Sequence, residues 1–236
     1  MTRSIIHRAN TRGFSNLSWL KSHHSFSFGQ YFNPIRMQFG KLRVLNDEKI
    51  EPQRGFTSTP LDNMEMVTIV LEGTLRHSDT LGNQLELPPG SVQCLSGGTG
   101  VKHSEVNDSE SDILRLLHFR VLPHTRGEEP EYHHAHYDLF TVKDTLTPLV
   151  DPSFHCHVNQ DAYVSWGNVS KGKMVKYKFH QSNSGIYLLT LDGMVQCVDH
   201  VAFVNDAIGV WSDEEEVEIK VLSDARFVVV EIPPTR

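Results

Sequence analysis

Hydrophobic and polar residues alternate along most of the chain in short runs that are typical of β-strands. V-T-I-V-L-E-G-T-L-R at 67–76, D-I-L-R-L-L-H-F-R-V-L at 112–122 and G-I-Y-L-L-T-L-D-G at 185–193 are examples. Turn signals such as P-P-G at 88–90 separate the runs about every ten residues. The one helix candidate, N-L-S-W-L-K-S-H at 16–23, is short. The pattern predicts an all-β protein of the sandwich or barrel type.

A faint internal repeat indicates that one β-unit occurs twice. V-L-E-G at 70–73 precedes Gly90, and T-L-D-G at 190–193 precedes Gly209 at a similar spacing. Each unit is interpreted as strand, turn, strand, loop, turn and strand, with glycine supplying backbone angles that other residues resist. We therefore expect two copies of one β-barrel.

The segment 123–138 is the predicted boundary between the two barrels. It is polar, charged and contains two prolines, as linkers usually do. In a chain of 236 residues each half is long enough to bury a core of its own. We predict an N-terminal domain at 1–130 and a C-terminal domain at 131–236.

Composition narrows the class of protein. The net charge of -7 and the 39% hydrophobic content argue against a nucleic-acid binder and a membrane protein. The N-terminus lacks the apolar stretch of a secretory signal. The three cysteines, at positions 94, 156 and 197, form no C-x-x-C motif, which suits a reducing compartment. We expect a cytoplasmic protein, either a monomer or a weak dimer.

His103 and Glu105 are the leading site residues. They lie at i and i+2, so on a strand they share one face. Imidazole and carboxylate ligands suit iron and other first-row metals. The alternative is a buried, hydrogen-bonded pair without an ion. Five residues near the motif could supply a third ligand: His24, Asp62, Glu65, Cys94 and His118.

Other polar groups have simpler interpretations. Cys94 is either a redox-sensitive thiol near the His103 imidazole or a core side chain. The histidines at 133, 134 and 136 lie in the polar linker, where we expect solvated side chains. His155 and His157 share one strand face but have no third ligand in view. Surface exposure or packing between domains is the expected role of that pair.

Four collinear motifs resemble the pirin family. They are W-L-K-S-H-H-S-F-S-F-G-Q-Y-F-N-P (19–34), F-G-K-L-R-V-L-N-D-E-K-I-E-P-Q-R-G-F (39–56), V-L-E-G-T-L-R-H-S-D-T-L-G-N (70–83) and G-G-T-G-V-K-H-S-E-V-N (97–107). The resemblance implies an all-β bicupin, with two jelly-roll-like barrels and a metal in the first barrel alone. The C-terminal cupin is then structural and carries no ligand set.

The resemblance also implies a ligand pattern, an H-P-H followed by H-x-E. His103 and Glu105 fall on the last two ligands, whereas Thr59 and Leu61 fall on the first two, with Pro60 kept between them. Some family members are quercetin 2,3-dioxygenases, and the mammalian protein is a nuclear transcriptional co-regulator. At the positions of the first two family ligands, this chain therefore has no imidazole.

Three functional hypotheses follow. The first is a pirin-like protein with a degenerate metal site that binds or senses a small aromatic or acidic molecule. Its pocket is lined by Thr59, Leu61 and Cys94 above His103 and Glu105. It would hold no cofactor, or a weakly bound divalent metal such as Fe, Mn, Ni or Zn.

The two alternatives use the same region differently. A metal-dependent dioxygenase of the quercetinase type would need a third ligand from His118 or Asp62, with Glu105 as the catalytic carboxylate. A redox sensor would use Cys94.

Overall fold

The structure is a computed structural model that describes residues 2–235. Within that range no helix is long and apolar enough to cross a membrane. A single 3-10 turn covers Ala9–Thr11. The strands are β1 (Arg3–His7), β2 (Gly13–Asn16), β3 (Leu20–His24), β4 (Leu42–Ile50), β5 (Arg54–Leu61), β6 (Glu65–Glu72), β7 (Leu75–Asp79), β8 (Gln84–Leu87), β9 (Ser91–Ser96), β10 (Val101–Asn107), β11 (Leu114–Val121), β12 (Glu131–His136), β13 (Thr145–Val150), β14 (Tyr163–Val169), β15 (Met174–Lys178), β16 (Gly185–Cys197), β17 (His200–Ala202), β18 (Ala207–Trp211) and β19 (Glu216–Ile232).

The first barrel consists of two antiparallel sheets. One has the strand order β5-β10-β7-β8, and the other has the order β12-β9-β6-β11-β4-β3-β2. The helix candidate at 16–23 is not helical, because Leu20–His24 forms β3 and pairs with β4. Burial alternates along β3 with the two-residue period of a strand, and this pairing overrides the weak helical signal.

The second barrel is built around two long strands. The strand β16 has 13 residues and β19 has 17, and they pair with each other along most of their length. Register shifts between Thr190 and Val195 mark irregularities that bend the pair. The remaining strands extend the sheet in the order β1-β18-β16-β19-β14-β13, with β15 and β17 attached to β19 and β16. The prediction of an all-β bicupin is confirmed.

Two strands cross the division expected at residue 130. The strand β12 begins at Glu131 but pairs with β9 of the first barrel. The strand β1, near the N-terminus, pairs with β18 of the second barrel. The strand β12 covers an edge of a first-barrel sheet, and β1 covers an edge of the second-barrel sheet. Each barrel therefore receives one strand from the segment that the predicted boundary assigns to the other.

The contact between the barrels is a continuous apolar core. Val67 on β6 pairs with Cys94 on β9, and both side chains join this core. The neighbouring pair, Thr68 and Gln93, alternates to the inside of the first barrel, where both side chains reach Glu105. The second barrel contributes Tyr187 and other buried residues to the same core. The two domains therefore share one hydrophobic centre.

The repeated glycines share a backbone angle in two different settings, because Gly73 follows the end of β6 whereas Gly193 lies within β16. Gly73 and Gly193 have φ of 72° and 76°, in the left-handed region that favours glycine. A Cβ at Gly73 would clash with the backbone of Ile113 and Leu114, and a Cβ at Gly193 would clash with the backbone of Asp224 and Ala225. The repeat between V-L-E-G and T-L-D-G therefore reflects the same need for glycine at both positions.

Candidate functional site

His103 lies in the interior of the first barrel, on the central strand β10. It pairs with Thr59 on one side and Asp79 on the other. A β-bulge between His103 and Glu105 places the extra residues of β5 opposite Ser104, with Ser58 at a φ of 50°. His103 is 2% exposed. Burial, as the main cause, lowers the pKa of His103 to about 4, so its imidazole is neutral at neutral pH.

Glu105 is held by two hydrogen bonds to the same oxygen. Its Oε1 accepts from Thr68 Oγ1 at 2.8 Å and from Gln93 Nε2 at 2.6 Å. The side-chain amide oxygen of Gln93, Oε1, in turn accepts a hydrogen bond from the Tyr132 hydroxyl at 2.9 Å. The side chain is buried at the centre of this chain of bonds. Side chains from β6, β9 and β12 therefore fix the orientation of the carboxylate.

His77 is a further member of the site that sequence reasoning missed. It is fully buried on β7, and its Nε2 lies 3.1 Å from Asp79 Oδ2. Its ring stacks on Tyr132 with centroids 4.6 Å apart and lies 6.4 Å from the ring of His103. The signal was H-S-D in the motif at 70–83, where histidine and aspartate at i and i+2 share a strand face.

A second polar group faces the barrel interior from β3, β4 and β11. His118 Nδ1 lies 3.7 Å from Glu48 Oε2, while Ser22 and Asn46 donate to Glu48 Oε1 at 3.0 Å each. Burial alone would raise the pKa of Glu48, but the contact with His118 and the two hydrogen bonds hold it below its usual value. His24 also belongs to this network, since its Nδ1 lies 2.9 Å from Asn46 Oδ1.

Five buried polar atoms of this interior have no hydrogen-bond partner among residues 2–235. They are His77 Nδ1, His103 Nδ1, His118 Nε2, Glu48 Oε2 and Arg120 Nε. Buried polar atoms are nearly always paired, so each of these has capacity for a further partner. The groups influence one another electrostatically: His103 is affected by His77, His118 and Arg120, and Arg120 by Glu48 and Glu105.

Thr59 and Leu61 stand beside this cluster with side chains that do not ligate metals in the manner of histidine. Thr59 is half-buried opposite His103. Leu61 is buried in an apolar group with Met66, Leu95 and Val101. Leu61 is therefore part of the hydrophobic packing at one end of the barrel.

The other proposed ligands and pocket residues lie in different surroundings. Asp62 is exposed after the end of β5. Glu65 faces away from His103, and its Oε2 accepts from Ser96 Oγ and from the Asn159 N–H, the latter at 2.9 Å. Cys94 lies on the opposite face of β9 from Gln93, within the core between the domains. The structure does not bring these three side chains to His103 and Glu105.

Cys94 instead meets Cys156, which belongs to the segment between β13 and β14. Their Sγ atoms are 2.8 Å apart, and both side chains are buried. Burial, followed by the neighbouring Cys156, raises the pKa of the Cys94 thiol. Both cysteines are free thiols. The pair joins the two domains at the centre of their shared core.

Glu131, His133 and His157 form a second cluster, at the surface between the barrels. Their ligand atoms all lie within 4.8 Å of one another, and the described part of the chain contains no other such group of three His, Cys, Asp or Glu residues. Burial and His157 lower the pKa of His133. In the sequence, His133 and His157 belong to two separate histidine motifs, and neither motif indicates the other as its partner.

Two family models match the chain in succession. The model described as Pirin matches residues 6–121, and the model described as Quercetinase C-terminal cupin domain matches residues 153–232. A curated relative from Escherichia coli named quercetin 2,3-dioxygenase is 34% identical over 233 residues, covering 97% of this chain and 98% of the relative.

Solved structures show the same architecture. The bacterial pirin YhhW from Escherichia coli, solved in complex with nickel(II), has a TM-score of 0.90 and 31% identity, covering 98% of this chain and 100% of that chain. GK1651 from Geobacillus kaustophilus, with 19% identity and a TM-score of 0.81 over 99% of this chain and 96% of that chain, shares the fold. The collinear match over almost the whole length shows that this chain belongs to the pirin family.

Proposed function

We propose that the first barrel binds a small aromatic or acidic molecule without the metal that the family pattern implies. The observation that supports this most directly is the group of five buried polar atoms inside the barrel that have no hydrogen-bond partner among the described residues. Three are imidazole nitrogens, one is a carboxylate oxygen and one is a guanidinium nitrogen. A bound molecule with its own donors and acceptors would satisfy them.

The ligand set of the first barrel argues against a metal there. Thr59 and Leu61 occupy the two family histidine positions. Among the described residues no three ligand atoms of this barrel gather within 4.8 Å of one another. His103 and Glu105 are therefore proposed to act as hydrogen-bonding groups.

The arrangement of polar and apolar residues favours an aromatic or acidic ligand. Leu61 and its apolar neighbours pack together at one end of the barrel and make that end hydrophobic. The neutral His103 imidazole supplies a hydrogen bond, and the half-buried Arg120 supplies a positive charge for an acidic group. The Arg120 guanidinium lies over the ring of Phe28, with its carbon 5.6 Å from the ring centroid.

Calorimetric titration of metal-stripped protein would test this function. Quercetin serves as the aromatic probe, and benzoate serves as the acidic one. We expect one of them to bind wild-type protein in the presence of a chelator, and His103→Ala or Arg120→Gln to weaken binding by about tenfold or more, the effect of losing one good hydrogen bond. His134→Ala, on an exposed position of β12, is the control. Binding that requires added metal, or that is unchanged in His103→Ala, would contradict the proposal.

Dioxygenase activity is the alternative that the names of the relatives suggest. It requires a third metal ligand in the first barrel, and Asp62, which is exposed, is poorly placed to provide it. His118 is the better candidate, because its Nδ1 faces Glu48 and its Nε2 has no hydrogen-bond partner among the described residues. Metal-dependent oxygen consumption with quercetin, abolished by His103→Ala, would favour this alternative over simple binding.

A redox role is a second candidate, favoured by the 2.8 Å separation of Cys94 Sγ and Cys156 Sγ. Hydrogen peroxide would convert one thiol to a sulfenic acid with release of water. The other thiol would then attack that sulfur, forming the S–S bond and releasing a second water. The raised pKa of Cys94 slows the first step, because the thiolate is the reactive species.

Mass spectrometry after peroxide treatment would test the redox role. We expect a peptide pair linked through Cys94 and Cys156, and no oxidation of the buried Cys197 under the same conditions. Cys156→Ser should leave Cys94 without a partner and abolish the link. Equal oxidation of all three thiols, or none at a peroxide level that oxidises free cysteine, would rule this role out.

A further inference from the structure

The cluster between the barrels combines residues from two separate segments. Glu131 and His133 lie at i and i+2 on one face of β12, and His157 comes from the segment between β13 and β14. The rings of His133 and His157 have centroids 4.3 Å apart, and Glu131 Oε2 lies 3.4 Å from His133 Nε2. Two imidazoles and a carboxylate thus converge from different sides.

His157 is held in an orientation that suits metal binding. Its Nδ1 lies 2.9 Å from the carbonyl oxygen of Phe154 and can donate to it. That hydrogen bond places the proton on Nδ1 and leaves the lone pair of Nε2 unprotonated. A backbone carbonyl that fixes the tautomer in this way is a common partner of metal-ligating histidines.

The cluster opens onto an acidic cleft of about 530 Å³ between the barrels. Glu131 and His157 line it together with Glu65, Glu128, Glu129 and Asp161. Several carboxylates around one opening produce a negative potential that attracts cations. The cleft also leaves room for water or another ligand on the open side of a bound ion.

We propose that Glu131, His133 and His157 form a binding site for a first-row divalent transition metal at the cleft between the two barrels. Two histidines and one carboxylate suit Zn²⁺, Ni²⁺ or Co²⁺ and leave coordination positions open. This site is separate from His103 and Glu105. Because it connects β12 with the segment before β14, a bound ion would also hold the first barrel against the second.

Metal binding to stripped, full-length protein tests the site. Ni²⁺ and Zn²⁺ are titrated by calorimetry, and bound metal is measured by elemental analysis after dialysis. We expect one equivalent to bind wild-type protein, and His133→Ala or His157→Ala each to lower affinity by about 10²–10³-fold, the share of one ligand in a protein metal site. His134→Ala is the matched control, because His134 is exposed on the opposite face of the same strand.

Two further measurements keep the test decisive. Glu131→Gln removes the charged ligand at an exposed position, so it should keep the fold and still weaken binding if a histidine variant fails to fold. Co²⁺ should give a visible absorption spectrum that changes in Glu131→Gln and not in His134→Ala. Equal affinity in the double variant His133→Ala/His157→Ala, metal that is lost in His103→Ala, or no stoichiometric binding to wild type would each overturn the proposal.

Discussion

Thr59 lies directly opposite His103 in the β5–β10 ladder, where the family pattern implies a metal-binding imidazole. Leu61, two residues later, is buried among apolar side chains. In the ligand pattern that the family resemblance implies, these two positions would carry histidine, and here they carry threonine and leucine. Because Thr59 faces His103, placing histidines at positions 59 and 61 tests whether their absence prevents metal binding in the first barrel.

We expect the double substitution Thr59→His/Leu61→His to create metal binding in the first barrel. The background for this experiment is His133→Ala/His157→Ala, so that the cleft site does not contribute. Elemental analysis after growth with added nickel or iron should show metal in the rebuilt protein and not in the background protein. A rebuilt protein that folds but holds no more metal than its background would show that features beyond Thr59 and Leu61 prevent binding.

We expect Thr68→Val to destabilise the protein by about 1–3 kcal/mol, because it removes one of the two donors to the buried Glu105 carboxylate. Urea denaturation at pH 7.5 measures the change. Thr57→Val is the control, since Thr57 is exposed on β5 and should change stability little. A loss as small as that of the control would mean that Glu105 finds another donor.

The pKa of His103, lowered to about 4, predicts acid sensitivity. The unfolded chain takes up a proton on this residue near pH 6.5, whereas the folded protein does so only near pH 4. The contribution of the neutral His103 imidazole to folding stability is therefore fully present above pH 6.5. It is lost as the pH falls from 6.5 to 4, and the loss is at most about 3 kcal/mol.

Urea denaturation of wild type and His103→Asn across that range isolates this contribution from those of other groups. We expect the stability of wild type to fall more steeply than that of His103→Asn, which does not titrate. Parallel curves for the two proteins would contradict a lowered pKa at this residue.

Glu231 is a buried carboxylate of the second barrel. It accepts hydrogen bonds from the Tyr177 hydroxyl at 3.0 Å, from the backbone N–H groups of His180 and Gln181 and from Ser184 Oγ, and it lies 2.7 Å from His180 Nδ1. We expect Glu231→Gln to cost about 2–5 kcal/mol of folding stability, because several buried donors lose a charged acceptor.

Glu216→Gln is the control for Glu231→Gln on the same strand. Glu216 pairs with Lys176 at the surface, and both side chains are about half exposed. Such pairs contribute about 0–1 kcal/mol. Thermal or urea denaturation of the two variants should therefore differ clearly. Similar losses would show that the hydrogen bonds to Glu231 contribute little to the second barrel.

The strand pattern was readable from the chain because it depends on local rules. Alternation along β6 and the glycines at 73 and 193 reflect side-chain period and backbone angle, which act within a few residues. His103 and Glu105 were found for the same reason, since i and i+2 on a strand share a face. The helix candidate at 16–23 does not form a helix, because pairing with β4 overrides a weak local preference.

The positions of β1 and β12 could not be read in this way. Their strand character is local, but the sheet edge that each one covers lies far away in the sequence. Similarly, Cys94 could be placed on either face of β9 until the core between the domains was known. The location in the cytoplasm and the choice of ligand remain predictions.

Sequence alone determined the all-β bicupin and the pirin resemblance, and it led to the prediction that Thr59 and Leu61 replace two histidine ligands. Tertiary structure alone decided that His133 meets His157 and that Cys94 meets Cys156. Local patterns follow from the geometry of one strand, whereas these contacts arise only when two barrels pack and bring distant segments together. A histidine without a partner in its own segment can thus gain one from the other domain.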